Sequence, residues 1–121
     1  MTATQATLDA YKTVRVDKDV ESAAILEVTR RLKTAYLNRV KDFPAFVDAL
    51  HENCRLWIVL SSDVALKENG LSPDLKSKIF YLGEFVRQHT KEVRNGLEDC
   101  QVLIDINLSI YCGLSMKDAS K

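Results

Sequence analysis

Glycine and proline are scarce in this chain, at four and two of 121 residues. Sandwiches and barrels draw on both at every turn, so an all-β fold is disfavoured and long helices are expected. Net charge is missing as well, with seventeen basic side chains against seventeen acidic ones. That balance removes any general attraction to a phosphate backbone or an anionic membrane. No stretch approaches the roughly 18 uncharged residues of a membrane span. The first residues carry no basic segment followed by an apolar run, so a soluble cytoplasmic protein without membrane insertion is expected. Cys54, Cys100 and Cys112 are odd in number and lack C-x-x-C spacing, the usage of a reducing compartment in which disulfides do not form. No phosphate-cradling glycine loop, nucleophile elbow or H-E-x-x-H pair occurs, so neither an enzyme nor a small-molecule substrate is expected.

What remains is a chain 46% apolar and 28% charged, enough to fill a core and dress a surface. Its length suits one domain. Apolar residues recur at steps of three and four from Val20 through Ala24, Ile25, Val28 and Leu32 to Tyr36, after an acidic start at Asp17. This predicts a first helix running to about residue 40. Asp42-Phe43-Pro44 supplies a turn, and a second helix with a broad apolar face follows over about 45–64. Ser72-Pro73-Asp74 is the clearest start signal, a hydroxyl cap with proline at the first helical position. The third helix runs from there to Asn95-Gly96, where glycine takes the left-handed conformation that ends helices. A fourth is expected over about 98–112, ending at Gly113. The predicted fold is therefore all-α, a small antiparallel bundle of four main helices spanning residues 17–114. Residues 1–16 are expected to be a loosely ordered segment and 115–121 a flexible tail.

Chemistry-bearing constellations are sparse. His51 and Cys54 stand at i and i+3, as do His89 and Glu92, but two ligands make no zinc site, so neither metal nor cofactor is expected. Trp57 lies on an apolar helix face and reads as core. Ile58, Tyr81, Leu108 and Tyr111 fall off or at the edge of the main stripes; exposed together, they would mark a partner groove. A basic cluster, Arg30, Arg31, Lys33, Arg39 and Lys41, crowds the C-terminal half of the first helix, where it suits the helix dipole.

From residue 53 onward the wording is specific. Asn53-Cys-Arg-Leu56-Trp57-Ile-Val-Leu60-Ser-Ser-Asp63, Asn69-Gly-Leu71, Leu82-Gly-Glu-Phe85-Val86-Arg-Gln-His89-Thr90 and Leu103-Ile-Asp-Ile106-Asn107 with Gly113-Leu114 resemble the FlaF family of flagellar-biosynthesis regulators. The resemblance implies a small helical protein of alphaproteobacteria, needed for flagellin production and export. It implies flagellin as a partner, with the protein acting as secretion chaperone beside a second regulator, FlbT. An alternative is an RNA-binding or adaptor regulator that acts on flagellin mRNA together with FlbT. Within these motifs Asn53 and Asn107 are expected to satisfy backbone groups at helix ends or crossings, and Asp63 to cap the loop carrying Asn69. Arg55, Arg87, His89, Thr90 and Asp105 are the surface candidates for partner contact, with Ile58, Tyr81, Leu108 and Tyr111.

Overall fold

In a computed structural model of the chain, residues 18–64 and 70–119 are described. Among them are four helices: α1 (Lys18–Leu37), α2 (Phe43–Val64), α3 (Pro73–Arg94) and α4 (Gln101–Ala119). Each packs on its neighbours in a ring, α1 on α2 and α4, and α3 on α2 and more thinly on α4. The connections are short, so successive helices run antiparallel. A direct tie shows the sense of the closing pair: the Tyr36 hydroxyl, at the end of α1, donates to Asp99 Oδ1, just ahead of α4, at 2.9 Å.

Local chemistry sets the helix ends. Ser72 Oγ accepts from the Leu75 amide at 3.2 Å, with Pro73 in the first turn and Asp74 beside it. At the far end of α3, Gly96 adopts φ +78. Its amide bonds to Val93 and that of Leu97 to Glu92, the paired bonds of a left-handed cap. Asp42 Oδ1 accepts from the Ala45 amide, so α2 starts at Phe43, slightly ahead of expectation. Three boundaries differ further. α1 stops at Leu37 because residues 38–41 close a tighter turn, with the Arg39 guanidinium donating to the Tyr36 carbonyl. α4 starts at Gln101, since the Gly96 turn delays it and Asp99 Oδ1 accepts from the Gln101 amide. At its other end α4 passes through Gly113 and continues to Ala119. Glycine lowers helix stability by about 1 kcal/mol without ending a helix that other residues support. The expected cap at Asp17, the segment 1–16 and the loop residue Asn69 lie outside the described residues.

The core is apolar, and its centre is polar. Ile25 and Leu32 of α1, Phe46, Leu50 and Leu60 of α2, Ile79 and Val86 of α3, and Leu103, Ile110 and Leu114 of α4 are buried. Among them Asn53 and Asn107 are completely enclosed. The Trp57 indole donates to Asn107 Oδ1 at 2.8 Å. Asn107 Nδ2 donates both to Asn53 Oδ1 at 2.7 Å and to Thr29 Oγ1 at 3.0 Å. The Thr29 hydroxyl in turn donates a hydrogen bond to the Ile25 carbonyl at 2.6 Å. The two asparagines thus bond to side chains of three helices and not to backbone groups, which corrects the sequence reading. Asn53 Nδ2 is left without a partner.

Removing the hub leaves the Trp57 indole N–H and the whole Asn53 amide without partners, while Thr29 keeps its bond to the Ile25 carbonyl. Asn107→Ala is expected to destabilise the bundle by about 3 kcal/mol or more, against roughly 1 kcal/mol for Thr29→Val, which leaves the other two bonds in place. Urea titrations followed by circular dichroism check this ordering.

Candidate functional site

Small residues on facing turns of α2 and α3 shape a groove. Ser61 and Gly83 meet so closely that a Cβ added at Gly83 would overlap Ser61 Oγ, while Trp57 Cε3 would stand at 3.7 Å. Glycine inside a helix is unfavourable unless the space requires it. To either side of this narrow point the larger side chains Ile58 and Phe80 project outward, 62% and 61% exposed. They wall a groove of about 210 Å³ whose lining also includes Cys54, Trp57, Ser62 and Val86. Arg87 and Glu84 edge it and pair with one another at 2.7 Å along α3. An apolar trough with a thin charged rim, open along two antiparallel helices, suits an amphipathic partner segment.

A second depression runs between α1 and α2 and is of different character. Its lining mixes Arg31 with Asp48 and Glu52, and Arg30 and Lys41 with Asp42. Arg30 and Arg31 both hold Glu27, at 2.6 and 3.0 Å, and the two guanidinium hydrogen bonds lower that carboxyl's pKa. Arg39 lies 4.2 Å over the Tyr36 ring. Three members of the basic cluster are therefore engaged within the fold.

The nine surface candidates do not gather. Ile58 and Arg87 line the α2–α3 groove. Arg55 is half-buried on α2, and Tyr81 stands 71% exposed on α3 outside the groove lining. Asp105, on α4, accepts from Gln101 Nε2 at 2.9 Å. Leu108 is exposed on α4, whereas Tyr111 packs against the core, so the four apolar candidates do not form one patch. His89 and Thr90 are not surface residues: only 8% and 4% of each is exposed. The His89 ring stacks on Phe85 with centroids 5.0 Å apart, and its buried Nε2 has no partner. Thr90 Oγ1 donates to the Val86 carbonyl and accepts from the Cys54 thiol at 3.5 Å. Phe80, Gly83, Ser61 and Cys54 belong to the groove and were missed. The glycine inside an otherwise regular helical pattern was the available signal.

Among the described residues no three His, Cys, Asp or Glu side chains gather as a ligand set, and no helix is long and apolar enough to cross a membrane. Comparison with protein families finds one whose model, flagellar protein FlaF, matches residues 4–114. The chain belongs to the FlaF family of flagellar proteins. The match spans the described helices up to Leu114, and with them both walls of the groove. Membership of this flagellar family implies a role in flagellum biogenesis. Comparisons with curated proteins and with solved structures find no match.

Two predictions concern the pole that ties α1 to α4 and the groove. Burial pushes the Cys100 thiol up to about 12, with the Asp99 carboxylate adding to the shift. The hydrogen bond to Asp99 raises Tyr36 as well. A folded-state pKa above the unfolded one gives stability that is complete below pH 9 and falls as pH rises toward 12. Denaturant midpoints under reducing conditions should therefore drop over that window, and Cys100→Ala should flatten the drop, leaving the smaller part due to Tyr36. Gly83→Ala is expected to leave stability within about 1 kcal/mol, because Ser61 Oγ can rotate away and alanine favours the helix. Thermal melts of the variant should therefore show a protein as stable as the natural chain to within that margin, with a narrower groove.

Proposed function

We propose that this member of the family is a non-enzymatic chaperone that binds unassembled flagellin through the α2–α3 groove and couples flagellin export to its synthesis. The observation that carries the reading is the pair of exposed apolar walls, Ile58 and Phe80, over a floor of Trp57 and Val86. An amphipathic helix of a subunit awaiting export has an apolar stripe that must be covered to stay soluble, and a trough between two helices covers it. Occupied and free chaperone then report the flagellin level to the machinery of its synthesis, with FlbT as the second regulator.

Direct RNA binding is the weaker reading. The chain has no net charge. Arg30 and Arg31 are both paired with Glu27, which offsets one of their two charges, and Arg31 shares its depression with Asp48 and Glu52. A phosphate ladder meets carboxylates along that face.

Calorimetry with purified flagellin tests the proposal. Binding in the micromolar range is expected, with little dependence on salt. Ile58→Asp combined with Phe80→Asp should weaken it at least tenfold while the helical circular-dichroism spectrum is retained. Arg30→Ala with Arg31→Ala should leave it unchanged. Absence of heat at tens of micromolar of both proteins would sink the chaperone reading. Steep salt dependence on a flagellin mRNA leader would put RNA in its place, and co-purification with FlbT without flagellin would make the protein an adaptor.

A further inference from the structure

The pole at which α1 turns into α2 and α3 into α4 carries four apolar side chains that line neither depression. The Tyr36–Asp99 hydrogen bond ties its two turns together, and every residue of 37–45 and of 94–99 is exposed. Leu37, Val40 and Leu97 stand largely in water there, Val40 to 91%, and Phe43 is half-exposed. Between them they show on the order of 500 Å² of apolar surface, at the upper end of what a monomer leaves uncovered. The turns that carry them are held from within. The Phe46 ring lies 5.6 Å from that of Tyr36 and 6.0 Å from that of Phe43. Asp42 accepts from the Ala45 amide and Asp99 from that of Gln101. A contact made on this pole therefore has little left to order.

Charge on the pole is balanced within itself: Arg39, Lys41 and Arg94 stand against Asp42, Glu98 and Asp99. An anionic bilayer gains nothing from such a surface, and neither does a partner of one sign. Its own copy does, because a two-fold axis through the pole sets cations of one rim against carboxylates of the other. We infer that a second copy of this chain covers the pole, the two bundles pairing end to end with Leu37, Val40, Phe43 and Leu97 between them. A standard interface takes about 800 Å² from each partner. The apolar part of this one falls below that figure, so the pairing is weak, and being isologous it stops at two. It leaves the α2–α3 groove open, since the lining begins at Cys54 and ends at Arg87, roughly 14 Å and 11 Å along their helices from Ala45 and Arg94. The pair thus presents two grooves. Nothing in the pairing depends on the function proposed above, and its test contains no flagellin.

Sedimentation equilibrium of the full chain, under reducing conditions and in about 50 mM salt so that surface charges are not fully screened, tests the inference. The mass should rise from monomer toward dimer between tens and hundreds of micromolar. Val40→Asp with Leu97→Asp should weaken the pairing at least tenfold while the helical circular-dichroism spectrum is retained, since both side chains are exposed in the single bundle. Arg94→Glu alone and Glu98→Arg alone each leave the pole with an excess of one sign, and each should pair with itself at least threefold more weakly. An equimolar mixture of these two single variants should recover the dimer, a rescue that requires one copy to face another. A monomer mass up to about 1 mM overturns the inference, and a monomer that instead sediments with phosphatidylglycerol vesicles makes a bilayer the occupant. A dimer that survives Val40→Asp with Leu97→Asp also overturns it; if Ile58→Asp with Phe80→Asp then dissociates that dimer, the seam is the groove. A mixture that pairs no better than its two components overturns it as well.

Discussion

The interior of the bundle is organised around one amide. The Trp57 indole is a donor only, so Asn107 must turn its oxygen toward it. Its nitrogen then faces Thr29 and Asn53, and Asn53 in turn must present oxygen to receive it. One donor-only ring thereby orients two asparagines and a threonine on three helices. The remaining Asn53 nitrogen is orphaned by the same logic, because reversing that amide would set donor against donor. Such a cluster weakens the core relative to apolar packing, but any slip of α4 along α1 or α2 strands several buried groups together. It joins α2 and α4, which lie diagonally in the ring and share no extensive backbone seam.

The cluster also bears on the surface. Trp57 is held from inside by its nitrogen, and the opposite edge of the same indole lies beside Gly83 at the groove. The floor of the groove is therefore positioned by a hydrogen bond to the far helix of the bundle, while its width is set by Gly83 against Ser61. A trough built in this way is preformed.

Caps were legible because they are local. Ser72-Pro73 and Asn95-Gly96 act through groups at most a few residues apart, and α3 starts and stops where they stand. Gly113 misled for the complementary reason: its effect on a helix is small, and whether α4 continues depends on residues elsewhere. Ile25, Leu50, Val86 and Leu103 follow from periodicity alone. A helical wheel also places His89 near the buried stripe, and packing of the bundle leaves it only 8% exposed. The asparagines were recognisable as structural from their setting in apolar runs, but their partners lie 50 to 78 residues away in the chain. The groove was half legible: Ile58 stood off its stripe in the sequence, while Phe80, its opposite wall, becomes a neighbour only when α2 and α3 pack.

The α1–α2 and α2–α3 depressions differ in the chemistry they present. Along α1 and α2 the charges alternate and largely answer one another, so neither a polyanion nor a polycation gains much by approaching. Along α2 and α3 the Glu84–Arg87 pair runs along its own helix, and Ile58 and Phe80 face outward. Apolar surface is non-directional, and its attraction depends little on ionic strength. Neutrality of the whole chain is of a piece with the proposed chaperone role: with long-range steering absent, recognition in that proposal falls to the fit between an apolar stripe and a trough whose floor and width the interior has already set.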